Sequence, residues 1–316
     1  MALSKLFGVI TLSITFLSSS TYVQAQSCAL DVPIASVNEI ATFVRPSDED
    51  DRVIAINSID LNVLSNDFSS IASLSTSNPA IDISNSVILE DGSRAVFMAD
   101  DGGLAQGYQI HSDGSITLKW SRSVKRVSCG NDQAGPLLIQ LRRYASAAFQ
   151  AQYSDDLVFV GTGYATSGGA CTGDARLKNR VYALDASTGN IRWVFNADES
   201  NNIDTINGLA LDPLSDTLYA TSDRQYSPTQ DSVWAINVIT GTKNWSVSEG
   251  RIWVEPVTGD DRLYIASLSG ELKALNKNNG SLIWSLSNGG LPVTTAISKG
   301  HPPFDGYISL IDYLGR

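Results

Sequence analysis

Apolar and turn-forming positions alternate along this chain in short runs rather than recurring every three or four residues. Val181 to Leu184 is apolar and β-prone, Asp185 to Gly189 carries turn residues, and Ile191 to Phe195 is apolar again. An Asp bonds the backbone that follows it, and a Gly accepts positive φ without a Cβ clash, so this run predicts two strands joined by a tight turn. The same grammar returns at Val233–Trp245 and Leu272–Trp284. Ala183, Asp185, Thr188, Gly189 and Trp193 are matched in register by Ala235, Asn237, Thr240, Gly241 and Trp245. Ala274, Asn276, Gly280 and Trp284 match again, with Asn279 in the Thr place. The chain is a repeat protein.

Each clear copy is preceded by an acidic turn and a strand, at Asp155–Val160, Asp216–Ala220 and Asp260–Ile265. Trp193 and Trp245 are 52 residues apart and Trp245 and Trp284 are 39 apart, the surplus falling in loops such as 222–230. A period near about 40 with about four strands is that of a β-propeller blade. No i, i+3, i+4 pattern spans the units, which excludes helical repeats. The expected fold is therefore all-β, a β-propeller of about 5–7 four-stranded blades over residues 52–316.

Pro79–Trp120 reads as a weaker unit, since Gly114 and Trp120 are six residues apart rather than four. Arg52–Asn57 matches Arg180–Asp185 but lacks the turn and the Trp, and Gly306–Arg316 matches the first half of a unit. Two readings fit these ends: the strand at Arg52 completes the last blade and closes the ring, or the chain is a truncated ring. Residues 121–143, with Lys125, Arg126, Arg142, Arg143 and Gly135-Pro136, read as an insertion between units.

Charge and leader narrow the function classes. Against 33 Asp+Glu stand 22 Lys+Arg, a formal charge of −11, which disfavours nucleic acid and anionic lipid as partners. Residues 1–25 carry Lys5, an apolar run from Leu6 to Leu17 and Val23-Gln24-Ala25, the pattern of an export signal, followed by an N-terminal segment at 26–51. The apolar run is too short to span a bilayer and no later one is longer, so an exported, periplasmic or extracellular chain without a transmembrane segment is expected. Three Cys fit an oxidising compartment, with Cys129–Cys171 the favoured bridge and Cys28 an alternative partner. Ala25-Gln26-Ser27 before Cys28 is a poor lipobox, which argues against a lipid anchor. His111 and His301 both sit in turn-rich stretches and give little material for a metal or hydrolase site. Trp120 and Trp253 are expected to pack in the core or between blades, the alternative being a ligand groove.

At Ala183, Asp185, Thr188, Gly189 and Trp193 and their two further copies, the chain resembles the pyrroloquinoline-quinone-like, tryptophan-docking β-propeller repeat family. The resemblance implies that each Trp packs between neighbouring blades, and it accounts for the ring rather than for any chemistry. Two functions follow as expectations. The first is an exported, non-enzymatic scaffold without a cofactor that binds envelope or secreted proteins. In its type of repeat it resembles the propeller scaffold of bacterial outer-membrane protein assembly. The alternative is a quinoprotein dehydrogenase holding pyrroloquinoline quinone and calcium. The vicinal Cys pair of that family's alcohol dehydrogenases is missing here, and no catalytic, cofactor-binding or metal residue carries over.

Overall fold

The computed structural model describes residues 42–44, 52–56, 60–65, 70–75, 78, 80–84, 86–124, 132–164, 177–225, 229–259, 261–287, 292–298 and 307–312. Residues 1–25, Cys28, Cys129, Cys171 and His301 lie outside them, so the disulfide and leader expectations fall on residues not described.

The strands form successive antiparallel sheets in chain order. The first holds Thr42–Val44 (β1), Arg52–Ile56 (β2), Asp60–Ser65 (β3) and Ser70–Ser75 (β4). The second holds Ala80–Ile83 (β5), Val87–Ile88 (β6), Arg94–Asp100 (β7), Leu104–Ile110 (β8) and Ile116–Ser123 (β9), with β5 and β6 sharing one edge of β7. The third is Asp132–Gln140 (β10), Leu157–Tyr164 (β11), Val181–Asp185 (β12) and Ile191–Phe195 (β13). Ile206–Asp212 (β14), Thr217–Ser222 (β15), Val233–Asn237 (β16) and Lys243–Val247 (β17) make the fourth. Val257–Thr258 (β18), Arg262–Ala266 (β19), Glu271–Asn276 (β20) and Leu282–Ser287 (β21) make the fifth. Pro292–Ser298 (β22) pairs with Tyr307–Asp312 (β23) in a sixth, two-stranded sheet.

The core lies between sheets rather than within one. One apolar cluster joins the third and fourth sheets through Phe159, Val181, Trp193, Phe195, Leu218 and Trp234. A second joins the second and third through Phe97, Trp120, Val158 and Leu184, and a third joins the fourth and fifth through Tyr219, Ala235, Leu263 and Leu275. All five residues of β12 are buried, because a sheet sandwiched between neighbours hides both its faces. This is the stacking of propeller blades.

Three expectations are corrected. Residues 121–143 are not an insertion: Ser121–Ser123 ends β9, and Asp132–Gln140 is the first strand of the third sheet, paired along β11. Gly135-Pro136 disguises it, but Pro is tolerated on an edge strand at a bulge, and the register shifts between Ala134 and Leu137. Arg52–Ile56 does not complete the last blade. It pairs with β1 and β3 in a sheet of its own, and neither β22 nor β23 pairs with it. It is also a second strand rather than the third-strand copy of Val181–Asp185 that the match suggested.

A bulge recurs at one place in every four-stranded unit. Ala183 faces Trp193 while Leu184 faces Ile191, leaving Arg192 as the extra residue. The same two-against-one pairing leaves Asn244, Ile283 and Lys119 extra before Trp245, Trp284 and Trp120. A bulge re-aims the side chain beside it, here the indole of each outer strand.

Candidate binding surfaces

Each motif residue has a physical task at the junction between blades. Asp185 Oδ1 accepts the backbone N–H of Ser187 and Thr188 at 3.2 and 3.1 Å, and Asn237 Oδ1 accepts those of Ile239 and Thr240 at 2.9 and 3.0 Å. Asn276 Oδ1 accepts the N–H of Asn278 at 2.8 Å. Thr240 adds its hydroxyl to Asn237, while Thr188 Oγ1 accepts from the N–H of Asn190. Gly189, Gly241 and Gly280 close the turns at φ of 69°, 69° and 72°. Their missing side chains serve a second purpose. A Cβ on Gly189 would stand 2.6 Å from the Trp120 indole, one on Gly241 2.7 Å from Trp193, and one on Gly280 2.6 Å from Trp245. The preceding blade's indole sits on the turn.

The polar end of each indole is fixed as well. Trp120 Nε1 donates to Ala186 O at 2.8 Å, Trp193 to Val238 O at 2.7 Å and Trp245 to Lys277 O at 2.8 Å. The acceptor is always the residue just after the Asp or Asn. The motif alanines face the indoles across the sheet, and Gly107 takes that place beneath Trp120, where a Cβ would stand 2.5 Å from the ring. Trp120 therefore docks between blades, as its core reading expected, although the spacing from Gly114 is irregular. Trp253 does not: it is 54% exposed, with the Arg251 guanidinium 5.3 Å from its ring centre. Arg251 is itself gripped by Asp223 through two bonds of 2.7 and 2.9 Å.

The first strands β5, β10 and β14 line a cleft of about 240 Å³ with Glu255, which lies two residues before β18. Asp82, Gln133, Asn207 and Glu255 give it polar groups, and Ile81, Pro136 and Ile206 apolar walls. Asp82 ties the second sheet to the third, its carboxylate accepting the N–H of Ile83 at 2.8 Å and of Leu137 at 2.7 Å. Burial raises the Asp82 pKa, and burial followed by the charge of Asp82 raises that of Glu255. Sequence reasoning missed this cleft, because its residues come from four different units and follow no shared spacing.

The acidic turn before β11 forms the other polar centre. Asp156 accepts the N–H of Glu90 at 2.8 Å and of Arg142 at 2.6 Å, and burial raises its pKa. Asp155 meets the hydroxyl of Ser187, which also bonds Asp185, and Asp185 pairs with Arg192. Burial, then the neighbouring acid Asp185, pushes the Asp155 carboxyl up to about 6. Arg142 is engaged by Glu90 and by the carbonyls of Gln150 and Tyr153, at the end of the short helix Ala147–Gln152. His111 contacts Thr117 Oγ1 at 2.8 Å within its own hairpin. Among the described residues no three His, Cys, Asp or Glu side chains are grouped so as to hold a metal ion. No helix among them is long and apolar enough to cross a membrane.

Known proteins agree with this architecture. The propeller of Dos1 superposes with a TM-score of 0.55 at 10% identity, over 75% of this chain and 56% of that one. Sqt1 of Saccharomyces cerevisiae gives 0.51 at 8% identity, over 86% and 81%. At such identities the likeness is one of fold. In sequence, the chain is 31% identical over 112 residues to the outer membrane protein assembly factor BamB of Yersinia pestis, a match taking in 35% of this chain and 28% of that protein. The sequence profile of the outer membrane protein assembly factor BamB family matches residues 117–301, which is more than half of the chain and holds every clear copy of the Trp-docking turn. The chain belongs to the BamB family.

Proposed function

We propose that this protein is an exported, non-enzymatic propeller that binds other proteins in the bacterial envelope and needs no quinone or metal to do so. The name of its family, an outer membrane protein assembly factor, supports a scaffold role. The observation that carries the reading is where the chemistry of the repeat goes. The motif carboxylate and amides cap turns, and three of the four motif indoles give their N–H to the next blade. Among the apolar side chains that reach solvent are Leu282, Ile283 and Leu286 on the outer strand of the fifth sheet, at 51%, 43% and 56% exposure. Grouped apolar side chains on an outer strand mark a protein interaction surface rather than a reaction centre.

The test is affinity capture from envelope extracts with the tagged, exported chain, quantified against an unrelated propeller of equal charge. Specific enrichment of envelope proteins is the expected result. A chain that enriches nothing over the control, or that remains in the cytoplasmic fraction on cell fractionation, overturns the reading. Dye-linked oxidation of alcohols or sugars after incubation with quinone and calcium would overturn its non-enzymatic part.

A further inference from the structure

We propose that Asn279 is a site of spontaneous covalent modification, where the folded chain converts its own side-chain amide to aspartate and isoaspartate, and that the isoaspartate undoes the docking of Trp245. The inference is independent of what the chain binds.

An asparagine loses its amide when the backbone nitrogen of the next residue attacks its Cγ, and a glycine in that next place has no Cβ to shield the nitrogen. Three Asn-Gly pairs occur: Asn207-Gly208, Asn279-Gly280 and Asn288-Gly289, the last outside the described residues. Asn207 is locked within β14. Its Nδ2 donates to Ile252 O at 2.8 Å, which draws the side chain away from its own backbone. Gly208 is packed so closely that a Cβ would stand 2.4 Å from Glu255 Cα.

Asn279 is exposed at the tip of the Asn276–Gly280 turn. Thr188 and Thr240 hold the same place in turns of the third and fourth sheets, which have described sheets on both sides, and they are exposed too. The exposure therefore belongs to the turn itself. Ser281 N–H donates to Asn279 Oδ1 at 3.0 Å. That bond closes a small ring containing both Cγ and the Gly280 nitrogen, which keeps the reacting atoms together. It also sets a donor on the oxygen that gains negative charge as the nitrogen adds, as an oxyanion hole does. Thr188 Oγ1 accepts the corresponding N–H, from Asn190, at 3.3 Å. The hydrogen bond is the same in both turns, but a threonine offers no carbonyl carbon to attack.

Gly280 N–H donates to Asn276 O at 2.8 Å, so the reaction proceeds through local opening of the turn. The freed nitrogen gives its proton to hydroxide and bonds to Cγ. The Cγ–Nδ2 bond breaks, and ammonia leaves with a proton from water, which restores the hydroxide. Water then opens the cyclic imide at either carbonyl. Opening at Cγ leaves aspartate. Opening at the main-chain carbon leaves isoaspartate, whose backbone runs through Cβ and Cγ and is one carbon longer.

The extra carbon falls inside the seat of Trp245. The indole is held at both ends of this short segment, its N–H by Lys277 O at 2.8 Å and its face by Gly280, where a Cβ would stand 2.6 Å from the ring. Lengthening the chain between Lys277 and Gly280 pulls one hold out of register with the other. The dock thus demands the glycine, and the residue at 279 decides whether the glycine reacts.

The full chain is incubated folded at neutral and at mildly alkaline pH, digested in acid, and mapped by tandem mass spectrometry, whose fragment ions separate position 279 from 288. Acid should accumulate at 279 about tenfold or more faster than at 207, because the turn opens more readily than the strand. Alkali should speed it, and isoaspartyl methyltransferase should label the product. N279T, which installs the residue of the other two turns, should fold normally and take no label at that position. In urea the aged chain should show an early transition whose amplitude follows the isoaspartate fraction. N279D, which carries the charge on a backbone of normal length, should not show it. Asn279 still an amide when urea-unfolded chain has reacted at both described pairs overturns the proposal, as do equal rates at 207 and 279 in the folded chain. An aged chain rich in isoaspartate that unfolds as N279D does overturns the loss of docking.

Discussion

Alanine at Gly189 tests whether the motif glycine is there for its turn or for its neighbour's indole. The backbone sits at φ +69°, where an L side chain costs about 1–2 kcal/mol. The added Cβ would also stand 2.6 and 2.7 Å from Trp120 Cε3 and Cδ2. That ring has no room to withdraw: its other side lies over Gly107, and its N–H is held by Ala186 O. Overpacking of this kind adds about 1–3 kcal/mol, so G189A should cost about 2–5 kcal/mol in all. Gly92 is the control. Its φ is +80° and a methyl added there would meet nothing within 4 Å, so G92A should show the backbone cost of about 1–2 kcal/mol alone.

Urea unfolding followed by far-ultraviolet circular dichroism measures both, and a double-mutant cycle with W120A isolates the clash. W120A alone should cost about 3–5 kcal/mol. With the indole gone the new methyl loses its three closest clashes, so the double variant should be less destabilised than the sum of its parts by about 1–3 kcal/mol. If G189A costs no more than G92A, or if the coupling lies within about 0.5 kcal/mol of zero, the glycine is a turn residue only and the docking argument fails.

Further contrasts follow from single groups. Trp193→Phe leaves Val238 O without its donor and should cost about 1–2 kcal/mol beyond the lost ring packing, whereas the buried Trp234 N–H has no partner among the described residues, so Trp234→Phe should cost the lost packing alone in the same unfolding assay. Phe195→Ser should cost about 3 kcal/mol or more, and Leu286→Ser at the equivalent exposed position under about 0.5 kcal/mol, read as shifts in urea midpoint. Asp155 has its folded pKa raised from 3.8 to about 6, so its contribution to stability is complete below 3.8 and is lost as pH rises through about 6. Asp155→Asn should therefore gain stability relative to wild type between about pH 4 and pH 7, and a difference that stays flat or reverses would show that the carboxyl is not raised.

The turns were legible in the sequence because each places a demand that few residues meet. A positive-φ corner selects Gly, its capping selects Asp or Asn, and a large ring with one donor selects Trp. The strands hidden from view were those whose signals are shared with loops. Asp132–Gln140 carries Gly135-Pro136, which reads as a break, yet an inner edge strand with a bulge accepts both. Gly107 was not recognised as the alanine equivalent of the second sheet, since only the pairing with Trp120 reveals it. The cleft around Asp82 and Glu255 was illegible for another reason. It is assembled by ring geometry from separate units, so no local pattern announces it.

The repeat joins two roles, a donor indole on one blade and a receiving turn on the next, and this pairing explains where the pattern decays. In the first sheet the same bulge falls between Val63 and Leu64, and the residue in the Trp register is Ala72. No indole from that register reaches the second sheet, and the turn there, His111–Ser115, departs from the Asx-to-Gly spacing, with Gly114 six residues before Trp120. A receiving turn with no ring to seat has no steric reason to hold its glycine at the fourth place. The third, fourth and fifth turns each seat a ring, and each holds the spacing. Loss of a donor thus goes with drift in its receiver.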